Sequence, residues 1–88
     1  MDDTILTLRP DVELVEQGGR TGLKLNGEIG FARDEMHAAL LRAIAEQGRS
    51  TDWLMAFLAD RGASGPGGSG AALVLAAFIL DFGEYLEP

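Results

Sequence analysis

The chain has no cysteine, so disulfide staples and thiolate chemistry are excluded. It has one histidine, His37, which rules out a multi-histidine metal site. Basic residues are scarce: seven Lys and Arg stand against fourteen Asp and Glu, a formal net charge of −7. A charge of that sign repels phosphate backbones and argues against nucleic acid as a partner. It predicts a solvated acidic surface and favours a basic partner. Long apolar runs are missing as well. The longest, Ala71–Leu80, has ten residues, whereas a membrane-spanning helix needs roughly twenty. The start, Met1-Asp2-Asp3, is acidic, which is wrong for a secretory signal. The expectation is a soluble, cytoplasmic protein without membrane contact. No nucleophile–base pair, metal cluster or cofactor motif is visible. The Gly62–Gly70 stretch lacks the Gly-Lys-Ser/Thr ending of a phosphate loop. Hence no catalytic residue, no metal ligand and no cofactor is predicted, and a small enzyme is the least favoured reading.

What is present fits one domain over 1–88. A chain of 88 residues buries only about two-thirds of its unfolded surface, enough for one small core. Residues 1–9 read as a lead-in that Ile5, Leu6 and Leu8 fasten to the core, and Pro10 blocks a helix there. Three short strand-like runs follow: Val12–Glu16, Thr21–Leu25 and Glu28–Ala32, separated by Gly18-Gly19 and Asn26-Gly27. Strand parity tests whether they form a meander, because opposite residues share a face. A two-residue turn at Gly18-Gly19 sets Gln17 against Arg20, Leu14 against Leu23, Val12 against Leu25 and Glu13 against Lys24, so like meets like. The same turn at Asn26-Gly27 would mix faces. A three-residue bulged loop, Leu25-Asn26-Gly27, instead sets Lys24 against Glu28 and Leu23 against Ile29. The expectation is therefore a bulged turn, with Val12, Leu14, Leu23, Ile29 and Phe31 facing inward.

Three helices follow. Asp34 is placed as an N-cap, Met36, Leu40, Ala43 and Ile44 recur at helical spacing, and Gly48 is the stop. Ser50 caps the next helix, with Asp52 in its first turn and Trp53, Leu54, Phe57 and Leu58 as its apolar side; Gly62 stops it. Gly62–Gly70 reads as a mobile loop. The last helix is expected from about Ser69 to Leu86. Projected at ~100° per residue, it gathers Val74, Leu75, Phe78, Ile79, Phe82, Tyr85 and Leu86 on a core side. Leu73, Ala76, Ala77 and Leu80 fall on the other side, leading to Asp81 and Glu84. The predicted class is α+β: a three-stranded antiparallel meander followed by three helices.

With Leu8-Arg9-Pro10-Asp11-Val12 leading the first strand, a third strand running directly into a helix, and Gly48-Arg49-Ser50 before the second helix, the chain resembles the PqqD-like family. These are winged-helix-like recognition elements for ribosomally made, post-translationally modified precursor peptides. The resemblance spans about residues 7–86. It implies a noncatalytic peptide chaperone, in which the leader segment of a precursor adds as an antiparallel strand beside the third strand and over the third helix. The positions it implicates are Glu28, Ile29, Gly30, Phe31, Ala32 and Arg33 for backbone pairing, and Leu73, Ala76, Ala77 and Leu80 as a groove wall. The chain departs from the family's pattern in its short Asn26-Gly27 turn, in Arg33-Asp34-Glu35 where many members carry Leu-Asn, and in its glycine-rich Gly62–Gly70 loop.

The residue types suit such a role. Strand addition satisfies the open N–H and C=O groups of an edge while side-chain pockets select the ligand. Gly30 would admit another backbone closely, and Asp81 and Glu84 would meet a Lys or Arg of the peptide. The implied partners are a precursor leader peptide and a modifying or leader-processing enzyme. An open edge beside a glycine-rich hinge also invites homodimer formation. Competing readings are a winged-helix transcriptional regulator, which lacks the basic recognition helix it needs, and a general protein-interaction adaptor. His37, beside Met36, reads as structural or exposed.

Overall fold

The computed structural model describes residues 4–62 and 69–87. It is an α+β fold whose elements run β1 (Ile5–Leu8), β2 (Glu13–Gln17), β3 (Arg20–Leu25), β4 (Glu28–Phe31), α1 (Glu35–Glu46), β5 (Arg49–Ser50), α2 (Thr51–Asp60), α3 (Ser69–Phe82) and β6 (Leu86–Glu87). A 3-10 turn, Gly83–Tyr85, joins α3 to β6. Strands β2, β3 and β4 form the expected antiparallel meander with β3 central. The expected mobility of Gly62–Gly70 concerns residues 63–68, which lie outside the described residues.

Gly18 and Gly19 sit at φ 59° and 78°, the positive values a two-residue hairpin turn requires at both central positions. Gln17 consequently faces Arg20, Leu14 faces Leu23 and Glu13 faces Lys24, as expected. The second hairpin overturns the expectation. Asn26 and Gly27 take φ 54° and 82°, again a tight two-residue turn, with no bulge. Leu25 faces Glu28, Lys24 faces Ile29, Leu23 faces Gly30 and Gly22 faces Phe31. One residue of register turns the strand over. Ile29 and Phe31 lie on the outer face with Lys24 and Arg20, and the Arg20 guanidinium stacks 4.3 Å from the Phe31 ring centre. Gly30 takes the inner face, where the Tyr85 side chain fills the space: a Cβ on Gly30 would stand 2.9 Å from the Tyr85 hydroxyl. The mixing of faces that parity disfavoured is compensated by an aromatic ring from the far end of the chain.

The lead-in is also more ordered than expected. β1 is the middle strand of a second small sheet, order β5-β1-β6, with Ile5 opposite Ser50, Leu6 opposite Arg49 and Leu8 opposite Leu86. Three distant parts of the chain are thereby clasped together. The Arg9-Pro10-Asp11-Val12 turn closes with the Val12 N–H donating to the Arg9 carbonyl at 3.0 Å. The Arg9 guanidinium donates to the Glu84 carbonyl (3.1 Å) and to Asp11 (3.3 Å). The Arg-Pro-Asp string is thus the corner between the two sheets.

Helix α1 starts where expected: the Asp34 carboxylate accepts the His37 N–H at 2.9 Å. It ends with Gln47 as C-cap. Gly48 follows that cap directly, where the stop was expected, and it has a further use: a Cβ there would lie 2.6 Å from Thr7 Cγ2 and 2.9 Å from Ile5 Cγ2, so its bareness lets β1 approach. The Ser50 hydroxyl caps α2 by accepting the Trp53 N–H at 3.0 Å. α3 stops at Phe82 rather than continuing to Leu86, because Tyr85 turns in beneath the sheet and Leu86 enters β6.

Leu23, Leu40, Leu41, Leu54, Leu58 and Phe78 are fully buried, and Val12, Ile44, Ala71, Leu75, Phe82 and Tyr85 complete the core. Burial of each large apolar side chain contributes about 1.5–3 kcal/mol. Ile79, expected inside, is 39% exposed. A polar bracket ties sheet to helix: Arg42 donates to Glu35 (2.9 Å), Glu16 (3.3 Å) and Thr21 Oγ1 (2.9 Å), and the Thr21 hydroxyl donates to Glu16 (2.9 Å). The Thr21 hydroxyl and Arg42 together hold the Glu16 carboxyl below its usual value.

Candidate functional site

Among the described residues β4 is an edge strand, paired with β3 alone. The tight turn decides which of its main-chain groups remain open. A two-residue hairpin closes on a hydrogen-bonded pair, here Leu25–Glu28, and such pairs alternate along the ladder. Gly30 is the next, and the Ala32 N–H donating to the Thr21 carbonyl at 2.8 Å continues the series. The N–H and C=O groups of Ile29 and Phe31 therefore point away from β3. Among the described residues they have no other backbone partner.

The exit of β4 is tied to α3. Arg33, immediately after β4, donates Nε and Nη2 to the two Asp81 oxygens, both at 2.9 Å, in a fork-to-fork pair. It spans the gap between strand exit and helix. Beside it lies a cavity of about 340 Å³, lined by Arg33, Asp34, Met36, His37, Leu73, Val74 and Ala77. Leu73 is 69% and Leu80 86% exposed. With exposed Ala76 and half-buried Ala77 they give α3 an uncovered apolar stripe. At the other end of β4, Glu28 and Glu84 both act on Tyr85. Burial is the main cause that raises its phenol above the ordinary 10.0, and the two carboxylates add to it.

The structure thus brings Arg33, Leu73 and Ala77 to one cavity, whose lining includes neither Ile29 nor Phe31. Ala76 and Leu80 lie outside that lining, Leu80 two turns further along the face of Leu73. Glu28 closes the tight turn, and Gly30 and Ala32 face β3 with their backbones. Asp81 already holds Arg33, so it meets an internal cation rather than standing ready for one from outside. Glu84 is exposed, and its carbonyl is bonded by Arg9. Gly30 admits the Tyr85 ring from within.

His37 was not among the expected site residues, yet it lines the cavity. Its side chain is 3% exposed, and Nδ1 stands 3.8 Å from Asp81 Oδ2 without a hydrogen-bond partner among the described residues. Its ring meets Phe78 edge-on at 5.6 Å. The signal in the sequence was its position three residues after the cap, on the side of α1 that follows Met36 inward. No family model, no curated protein and no solved structure matches the chain. Among the described residues, no helix is long and apolar enough to cross a membrane.

Proposed function

We propose that this chain is a noncatalytic peptide-recognition module, PqqD-like in kind. It takes the leader segment of a ribosomally made precursor as an added antiparallel strand on β4 and presents it to a modifying or leader-processing enzyme in the cytoplasm. The observation that carries this reading is the open main chain of Ile29 and Phe31, with Arg33 leading from the end of β4 to a cavity on α3 that exposed Leu73 helps to line. An extended ligand would complete the ladder with its backbone and lay alternate side chains on α3. Each ladder bond contributes about 0.5–1.5 kcal/mol. A Leu or Phe anchor set against Leu73 contributes about 1.5–3 kcal/mol. Ordering the ligand costs roughly 2–5 kcal/mol. A few anchors and a short ladder then place the complex in the micromolar range, about −8 kcal/mol.

The test uses synthetic leader peptides from precursor genes adjacent to this one, titrated by amide NMR. Binding should protect the Ile29 and Phe31 amides from solvent exchange and shift the Leu73 and Ala77 resonances. Ile29→Pro deletes an outward N–H that β3 does not use, so the sheet should persist while affinity falls about tenfold. Leu73→Asp, on an exposed helix position, should weaken binding without unfolding. Peptide binding that leaves β4 unperturbed and survives both substitutions would show that the edge is not the site.

A further inference from the structure

We propose that the strand added to β4 carries a lysine or arginine opposite Gly30, and that Tyr85, Glu28 and Glu84 form the subsite that selects it. The inference rests on the strand-addition reading and names the side chain that this edge accepts. Register fixes where the side chain goes. Gly30 faces Leu23 and belongs to the series of hydrogen-bonded pairs that starts at Leu25–Glu28, so its N–H and C=O are turned to β3. On its open side Gly30 would meet an added residue in a non-hydrogen-bonded pair. In such pairs the Cα atoms stand about 4.5 Å apart and the side chains are closest. The added residue then puts its side chain on the inner face, beside Gly30. Gly30 has no Cβ there, and the Tyr85 hydroxyl stands 2.9 Å from where one would be. Tyr85 thus reaches the edge strand with its polar end.

Tyr85 is 9% exposed, and its hydroxyl makes no hydrogen bond among the described residues. It is not sealed off, because His37 Nδ1 is the one fully enclosed side-chain polar atom without a partner among those residues. Two carboxylates flank it. Glu28 lies two residues before Gly30 and so on the same face of β4. Glu84 adjoins Tyr85 in the 3-10 turn. Both are exposed, and neither joins an ion pair among the described residues. After burial, these two charges are what raises the phenol, and no cation acts against them. Arg9 reaches the Glu84 main-chain carbonyl, but its charge is met by Asp11. Arg20 and Lys24 stand on the outer face. An acidic side chain would be repelled here, and an apolar one would cover the hydroxyl without giving it a partner. A basic one lays its stem on the ring and offers N–H donors to the phenol oxygen and the carboxylates. Asp81, expected to share this role with Glu84, is held by Arg33, and Glu28 takes its place.

The full chain is titrated by NMR with four blocked peptides, Thr-Val-Thr-X-Thr-Val-Thr, where X is Lys, Arg, Leu or Glu. The Ile29 and Phe31 amides report strand addition, and the Tyr85 ring signals report the subsite. The Lys and Arg peptides should bind about tenfold more tightly than the Leu peptide, with the Glu peptide weakest, and the advantage should shrink as salt is added. Glu28→Gln with Glu84→Gln should abolish the advantage while the Leu peptide binds as before. Tyr85→Phe, which keeps the ring, should reduce it about threefold. Binding at Ile29 and Phe31 without preference for Lys or Arg, or a preference that survives the double substitution, would overturn the inference and leave the edge reading intact. If none of these peptides perturbs Ile29 and Phe31 while the leader peptides do, the inference again falls and the edge reading stands. If neither set does, both fall.

Discussion

Gly30→Ala tests whether the inner face of β4 is set by Tyr85. A Cβ at position 30 would lie 2.9 Å from the Tyr85 hydroxyl, 3.4 Å from Cζ and 3.6 Å from Cε2. Only the hydroxyl contact is well inside van der Waals range. Tyr85 is 9% exposed and packs at 5.8 Å from Phe82, so the ring has little room to retreat. Overpacking of a closed site costs about 1–3 kcal/mol. Alanine offsets part of this, about 0.4–1 kcal/mol, by stiffening the unfolded chain. The net expectation is a loss of about 1 kcal/mol, or roughly 4–8 °C in Tm for a domain of this size. In a Tyr85→Phe background the nearest ring atom is Cζ at 3.4 Å, and the same substitution should be close to neutral. Chemical denaturation of the four proteins of the cycle gives the coupling directly. Additivity within about 0.5 kcal/mol would refute the reasoning, because residues in contact must couple.

Tyr85 also predicts an alkaline effect. Its folded-state phenol titrates above the ordinary 10.0, so the native chain holds this proton more tightly than the unfolded chain does. The resulting stability is fully present below about pH 10 and is lost as pH rises through the folded value. Denaturation of the wild type and Tyr85→Phe across alkaline pH should show a steeper decline for the wild type, and phenolate absorbance reports the chain's one tyrosine. The two side-chain caps are separate tests. Asp34→Ala and Ser50→Ala each remove an acceptor from a helix-start N–H. Each should cost about 1 kcal/mol in urea denaturation. Asp34→Asn should retain most of the stability that Asp34→Ala loses.

Local chemistry was sufficient for much of the chain. Asp34 and Ser50 can do little else at their positions than accept a helix-start N–H, and both do. Gly18-Gly19 imposes a tight turn, and alternation then sets the first hairpin's register. The apolar stripe of Leu73, Ala76, Ala77 and Leu80 was legible because a helix has one fixed period, but the period could not say whether a neighbour covers it; Leu73, Ala76 and Leu80 are exposed and Ala77 is half-buried.

The second hairpin shows where sequence reasoning stopped. Parity assumes that apolar strand residues belong inside, and on that ground it turned Ile29 and Phe31 inward and required a bulge. The preference of Asn26-Gly27 for the tight turn prevailed, because Tyr85 arrives from the far end of the chain to fill the space beneath Gly30. Nothing within the hairpin carries that information. Likewise, residues 5–8 become a strand only because β5 and β6 flank them, and Gly48 is bare only because β1 passes over it. The sequence by itself determined the three meander strands, the three helices with their starts and the acidic, cysteine-free chemistry, since these follow from neighbours along the chain. Tertiary structure decided which side of β4 faces the core, which of its main-chain groups stay open, and that Asp81 and His37 stand beside Arg33, since each depends on residues brought together from opposite ends of the chain.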